Sequence, residues 1–123
     1  MLNFLTSHRM FDMLALAALI AIAVGSLTPL PQLPDVPSND KLLHFVAYGT
    51  LAFLVAFHRQ SLRSVVLVTI AVMLFGGLIE LVQPFANRIM SLGDMLANMA
   101  GAGLGACAVL VLKRYFFPIN GDT

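Results

Sequence analysis

The amino-acid sequence predicts an all-α protein, a bundle of four transmembrane helices with both termini on the cytoplasmic side. Hydrophobic residues make up 59% of the 123-residue chain and charged residues only 11%, and the mean hydropathy is +0.91, far from the balance of an ordinary soluble domain. The apolar residues fall into four runs, each long enough or nearly long enough for the roughly 20 residues with which a helix crosses a hydrocarbon core of about 30 Å. Basic residues alternate between the ends of those runs. Arg9, Arg59, Arg63, Lys113 and Arg114 fall on one side and only Lys41 and Arg88 on the other, and Lys and Arg in short loops are retained in the cytoplasm.

The first helix is expected over about residues 10–30. His8 and Arg9 precede it, and it reaches the small residues Ala23, Gly25 and Ser26, so a cleaved signal peptide is its rival interpretation. The run continues through Leu27 to Leu30, as a retained span would. The stretch TPLPQLPDVPSND that follows carries Pro29, Pro31, Pro34 and Pro37, which forbid a regular helix. It is expected to lie over the outer mouth of the bundle. The second helix is placed at about residues 40–57, with Ser38 or Asp40 as a cap. The third begins after Arg63 and is stopped by Pro84, at about residues 64–84. The fourth covers about residues 91–113, and Ser91 three before Asp94 fits a capping box with Asp in place of the usual Glu or Gln. Four spans in one domain, residues 1–123, leave connections too short to fold separately, so any chemistry lies within the bundle or at its surface.

Net charge is +1, which provides no electrostatic footprint for nucleic acid. The single cysteine, Cys107, excludes an intramolecular disulfide and reads as a small apolar packing residue. No cofactor is implied.

The stretch FGGLIELVQPF places one carboxylate, Glu80, in an otherwise nearly apolar run. A charged group in lipid costs several kcal/mol or more, by order of magnitude, and is tolerated mainly where it faces the bundle interior or a wet cavity with a partner. In the predicted topology Glu80 lies about one turn from the outer end of the third helix. Asp40, Lys41, His44 and Tyr48 open the second helix at that same end, on one stripe by their spacings of three and four. Gln83 shares a face with Glu80, Asp94 and Asn98 are four apart in the fourth helix, and Arg88 sits in the loop between. Nearly all the non-loop polarity of the chain therefore converges at one depth, which points to a polar pocket open outward.

Each of these residues also has a plain structural use. Asp40 and Asp94 suit helix N-termini, Lys41 suits snorkelling to headgroups, and Asn98 suits interhelical hydrogen bonding. Glu80 is harder to dismiss, because it stands at the unfavourable end of the helix dipole. The stripe Ala97, Gly101 and Gly105 permits close approach of the fourth helix to another helix, in the same chain or in a second copy.

The residue types support three functional classes. In an enzyme, His44 or Glu80 serves as general acid or base, Asp40 or Asp94 orients the imidazole, and Lys41 and Arg88 hold a phosphate or carboxylate. Tyr48, Gln83, Ser91 and Asn98 complete the substrate-binding set. In a binding module the same groups act as ligands to a lipid headgroup or lipid-linked precursor, with no bond made or broken. In a structural partner the first and fourth helices carry the function. A channel is disfavoured, because no acid or base continues the polar path at mid-depth. No metal site is expected, His44 with Asp40 and Glu80 being the nearest approach to a zinc set.

The combined string Asp40-Lys41-x-x-His44-Phe45-x-x-Tyr48, Glu80-x-x-Gln83 and Arg88-x-x-Ser91-x-x-Asp94-x-x-x-Asn98-x-x-Gly101 resembles the VanZ-like family of small bacterial membrane proteins. The resemblance covers residues 40 to 105, with no departure at the motif positions. The namesake of the family is associated with resistance to the glycopeptide teicoplanin, so the resemblance implies a role at the bacterial envelope, in the inner membrane. It implies that the matched residues act together and does not imply a reaction.

Overall fold

The computed structural model describes residues 7–28 and 40–116, with the side chain of Asp40 excepted. Among the described residues the chain is four α-helices and no strand: α1 (His8–Leu27), α2 (Asp40–Ala56), α3 (Leu62–Val82) and α4 (Leu92–Tyr115), with a 3-10 turn at Gln83–Ala86 between the last two. Most of the proline-rich segment, residues 29–39 with the expected cap Ser38, lies outside the described residues.

Local chemistry explains the helix ends. Ser7 caps α1, its Oγ accepting from the amide of Met10 at 3.2 Å, and Ser61 caps α3 by accepting from the amide of Ser64 at 3.1 Å. Each satisfies one of the amide donors that a helix start leaves open. The cap at Ser61 starts α3 ahead of Arg63, earlier than charge alone suggests. At its far end Pro84 lies within the 3-10 turn, so regular α-helix stops at Val82. Ser91 caps α4 as expected, accepting from the amide of Asp94 at 3.2 Å. The helix runs on to Tyr115, past Lys113 and Arg114, whose charge suits the negative end of the dipole.

Three of the helical segments, His8–Leu27, Leu62–Ala86 and Leu92–Tyr115, are long and apolar enough to cross a membrane. The α2 helix, 17 residues, spans only about 25 Å. Its burial pattern is that of a molecule whose solvent is apolar. Large side chains such as Met13, Leu67, Leu74, Leu78 and Leu104 are exposed, while His44, Glu80, Gln83, Asp94, Asn98 and Lys113 are buried. In water this is the reverse of the stable arrangement; in lipid it is the expected one.

Contacts fix the helix directions. Phe11 stacks on Phe57 at 4.5 Å and His8 meets His58 in a tilted contact at 4.0 Å between ring centroids, so α1 begins where α2 ends. The N-terminal part of α4 meets that of α2, and its C-terminal part follows, with buried Lys113 donating to the carbonyl of Arg59. Thus α2 and α4 run side by side in the same direction, and α1 and α3 run against them. The α2–α4 pair makes the most extensive interhelical contact in the molecule. Glycine makes that contact possible: a β-carbon at Gly101 would fall 2.2 Å from the carbonyl oxygen of Phe45, and one at Gly105 would fall 2.2 Å from that of Gly49. The small-residue stripe thus packs against α2 of the same chain.

Candidate functional site

The end of the bundle opposite His8 and His58 gathers the polar residues of three helices. His44 sits at the first turns of α2, Glu80 near the end of α3 and Asp94 in the first turn of α4, all buried. One ligand-capable atom from each lies within 4.8 Å of the other two. Glu80 is fully shielded, at 0% exposure, and is turned into the bundle, away from the lipid face occupied by its neighbours Leu78 and Leu81.

Each member of this triad is held by a neighbour. The Nδ1 of His44 lies 2.8 Å from the Oδ1 of Asn98, one helical turn beyond Asp94. Because the amide oxygen can only accept, Nδ1 donates, and Nε2 faces the Oδ2 of Asp94 at 3.6 Å. Glu80 accepts through Oε2 from the backbone amide of Ser91 at 3.2 Å. Ser91 therefore serves both acids: its amide holds Glu80 and its hydroxyl caps the amide of Asp94. Below the triad, Tyr48 stacks nearly parallel to His44, with 6.5 Å between centroids and 8° between planes. Its ring passes over Gly76, where a β-carbon would lie 2.8 Å from Cε1. The Tyr48 hydroxyl and the Nδ2 of Asn98 are buried with no hydrogen-bond partner among the described residues.

The other expected site residues divide. Lys41 is exposed at the rim of α2 and lies across the first turn of α4, since a β-carbon at Gly93 would meet its Cε at 2.6 Å. Gln83 is buried and donates to the carbonyl of Ser26 at 3.2 Å. Arg88 donates to the carbonyl of Thr28 at 3.3 Å. These two tie the α3–α4 connection to the end of α1, where helical carbonyls lack intrahelical partners. Asp40 begins α2, and its side chain lies outside the described residues. Gly76 escapes sequence reasoning altogether, because nothing local indicates that an aromatic ring from another helix crosses it.

An apolar trough of about 320 Å³ runs down the outer face of α2 and α4 from Phe45 past Gly49 and Phe53 to Leu104 and Ala108. The glycines that let the two backbones approach also leave this face shallow. Lys41 at the rim and the apolar trough lie on the α2–α4 pair, and the buried triad draws on these two helices and on α3.

Comparison with curated proteins and with solved structures finds no match. A family model, described as VanZ/LLP1, matches residues 2–113. That range takes in the whole of α1, beyond the motif residues of α2 to α4, and covers nearly all of the chain. By this match the chain belongs to the VanZ/LLP1 family.

Proposed function

We propose that this protein sits in the bacterial inner membrane with both termini cytoplasmic, and that its polar end handles an amphiphilic or lipid-linked component of the envelope. The observation that supports this most directly is that Lys41 and the apolar trough lie on the α2–α4 pair, whose N-terminal turns also supply His44 and Asp94 of the buried triad. An amphiphile needs those three environments: a cation for a phosphate or carboxylate, polar groups for the rest of the headgroup, and an apolar surface for the chain. The positive-inside bias turns this end outward. Within this reading His44 and Glu80 are the buried polar groups that meet the headgroup, and Asp94 faces the imidazole Nε2. Protection against a glycopeptide such as teicoplanin is the physiological role that the family resemblance suggests. Self-association through α4 would have to use the flank carrying Leu96, Met99 and Leu104, since the glycine stripe already packs on α2.

The test is native mass spectrometry of the purified protein released from lipid, together with teicoplanin susceptibility of cells expressing it. Anionic lipids with a phosphate headgroup should be retained by the wild type and retained at least about fivefold less by Lys41→Ala, the loss of one charge-assisted contact of about 1–3 kcal/mol. Incubation with a polyprenyl-phosphate lipid separates turnover from binding, because a product changes the retained mass. If Glu80→Gln and Lys41→Ala accumulate normally yet change neither lipid retention nor susceptibility, the proposal fails.

A further inference from the structure

We propose that His44, Glu80 and Asp94 form a binding site for one divalent metal ion, with Zn²⁺ the best match. This departs from the expectation of no metal, and it rests on geometry that sequence spacing does not reveal. The acid completing the set is Asp94 of α4, in place of Asp40.

Asn98 accepts from Nδ1 of His44, and Nε2 stands 3.6 Å from a carboxylate oxygen of Asp94. That separation is close to the edge, about 3.4 Å, of a tetrahedron whose metal bonds are about 2.1 Å. A carboxylate oxygen of Glu80 completes a triangle of donors within 4.8 Å, closed by small side-chain rotations. One imidazole with two carboxylates suits Zn²⁺, whereas Mg²⁺ and Ca²⁺ prefer oxygen donors alone. A divalent ion also matches the charge of the two acids.

The outer contacts are those that metal ligands require. A ligating imidazole donates its second nitrogen to a carbonyl-type oxygen, as His44 does to Asn98, and ligating carboxylates are themselves hydrogen-bonded, as Glu80 is to the amide of Ser91. Three donors from three different helices leave a fourth coordination position, the pattern of an open zinc site. Tyr48 supplies a second, independent indication. It is 1% exposed, its hydroxyl has no hydrogen-bond partner among the described residues, and it lies within electrostatic reach of Glu80.

The site requires the three donors and not the headgroup reading, so the two fail separately. Protein purified in detergent without an oligohistidine tag is equilibrated with excess Zn²⁺, passed through gel filtration and assayed for metal by mass spectrometry. The expected result is one zinc per chain, reduced more than about tenfold by His44→Ala, Glu80→Gln or Asp94→Asn, with Asn98→Ala weakening affinity about 10–100-fold. The pair His8 and His58 at the opposite end is the obvious competing site, so His8→Asn combined with His58→Asn should leave the stoichiometry unchanged. Should a donor variant fail to fold, X-ray absorption at the zinc edge of the wild type decides, with one nitrogen from imidazole and oxygens at about 2.0–2.2 Å expected. Zinc that survives Asp94→Asn and Glu80→Gln, that disappears with the His8 and His58 variants, or that never exceeds a tenth of an equivalent overturns the site. Full zinc content with no lipid retention would overturn the amphiphile reading alone, and lipid retention without zinc would overturn the metal site alone.

Discussion

Asn98 on α4 fixes the orientation of His44 on α2 through a buried 2.8 Å contact between Oδ1 and Nδ1. A hydrogen bond from Nδ1 leaves Nε2 as the nitrogen that faces Asp94. The predicted consequence is spectroscopic. Nitrogen-15 NMR of the wild type should show His44 protonated at Nδ1, and Asn98→Ala should lose that tautomer preference while costing about 0.5–2 kcal/mol in stability. A thermal unfolding curve in detergent measures the second effect. Unchanged tautomer populations in the variant would show that Asn98 does not orient the ring.

How much of this site the sequence discloses depends on the kind of contact. The convergence of His44, Glu80 and Asp94 at one depth follows from helix periodicity and topology, because polar groups in lipid must find one another. The paths of Gln83 and Arg88 do not follow. Their side chains look equally able to face a ligand, and only tertiary packing shows that they reach the carbonyls of Ser26 and Thr28. Lys113 is a similar case, counted from sequence as a charge near the membrane surface but buried against the carbonyl of Arg59. The fourfold helical pattern is legible because hydrophobicity marks it, whereas the caps at Ser7 and Ser61 shift the starts of α1 and α3 by a few residues.

Gly101 and Gly105 should tolerate no side chain. A methyl group at either would lie 2.2 Å from a backbone carbonyl oxygen of α2, and backbone cannot yield as a rotamer can. Gly101→Ala and Gly105→Ala are each expected to cost about 2–3 kcal/mol or more, or to prevent accumulation in the membrane. Gly77→Ala is the control, since a β-carbon there meets nothing within 4 Å. It should be neutral or stabilise by up to about 1 kcal/mol. Similar melting temperatures for Gly101→Ala and Gly77→Ala would contradict the α2–α4 contact.

Ser91 joins two functions in one residue, so its variants should separate them. Ser91→Ala removes the hydroxyl cap of Asp94 but keeps the amide that Glu80 accepts from. The expected loss is about 1 kcal/mol, and about a few tenths for Ser91→Gly. Ser91→Pro removes the amide as well and should be much more damaging, since a buried carboxylate loses a donor. Denaturation of the three variants in the same detergent checks the order; equal losses for Ala and Pro would show that the amide contributes nothing to Glu80.

His58, in the turn between α2 and α3, should make the opposite end of the bundle sensitive to acid. Burial lowers its pKa below the ordinary 6.5, the charges of His8 and Lys113 lower it further, and Asp12 opposes them. A depressed folded value means that the unfolded chain takes up the proton first. The contribution of His58 to stability is therefore full above pH 6.5 and is lost as pH falls through its lower folded value. Proton NMR of the His58 ring should give a midpoint below that of an exposed histidine. His8→Asn, which removes the imidazole 4.0 Å away whose charge lowers the His58 pKa, should move the midpoint upward, and Asp12→Asn should move it downward. In thermal unfolding, His58→Asn should remove part of the fall in melting temperature between pH 7 and pH 5, since its side chain carries no proton to titrate. A His58 midpoint at or above the ordinary value would mean that the α1–α2 stack does not exclude charge from this turn.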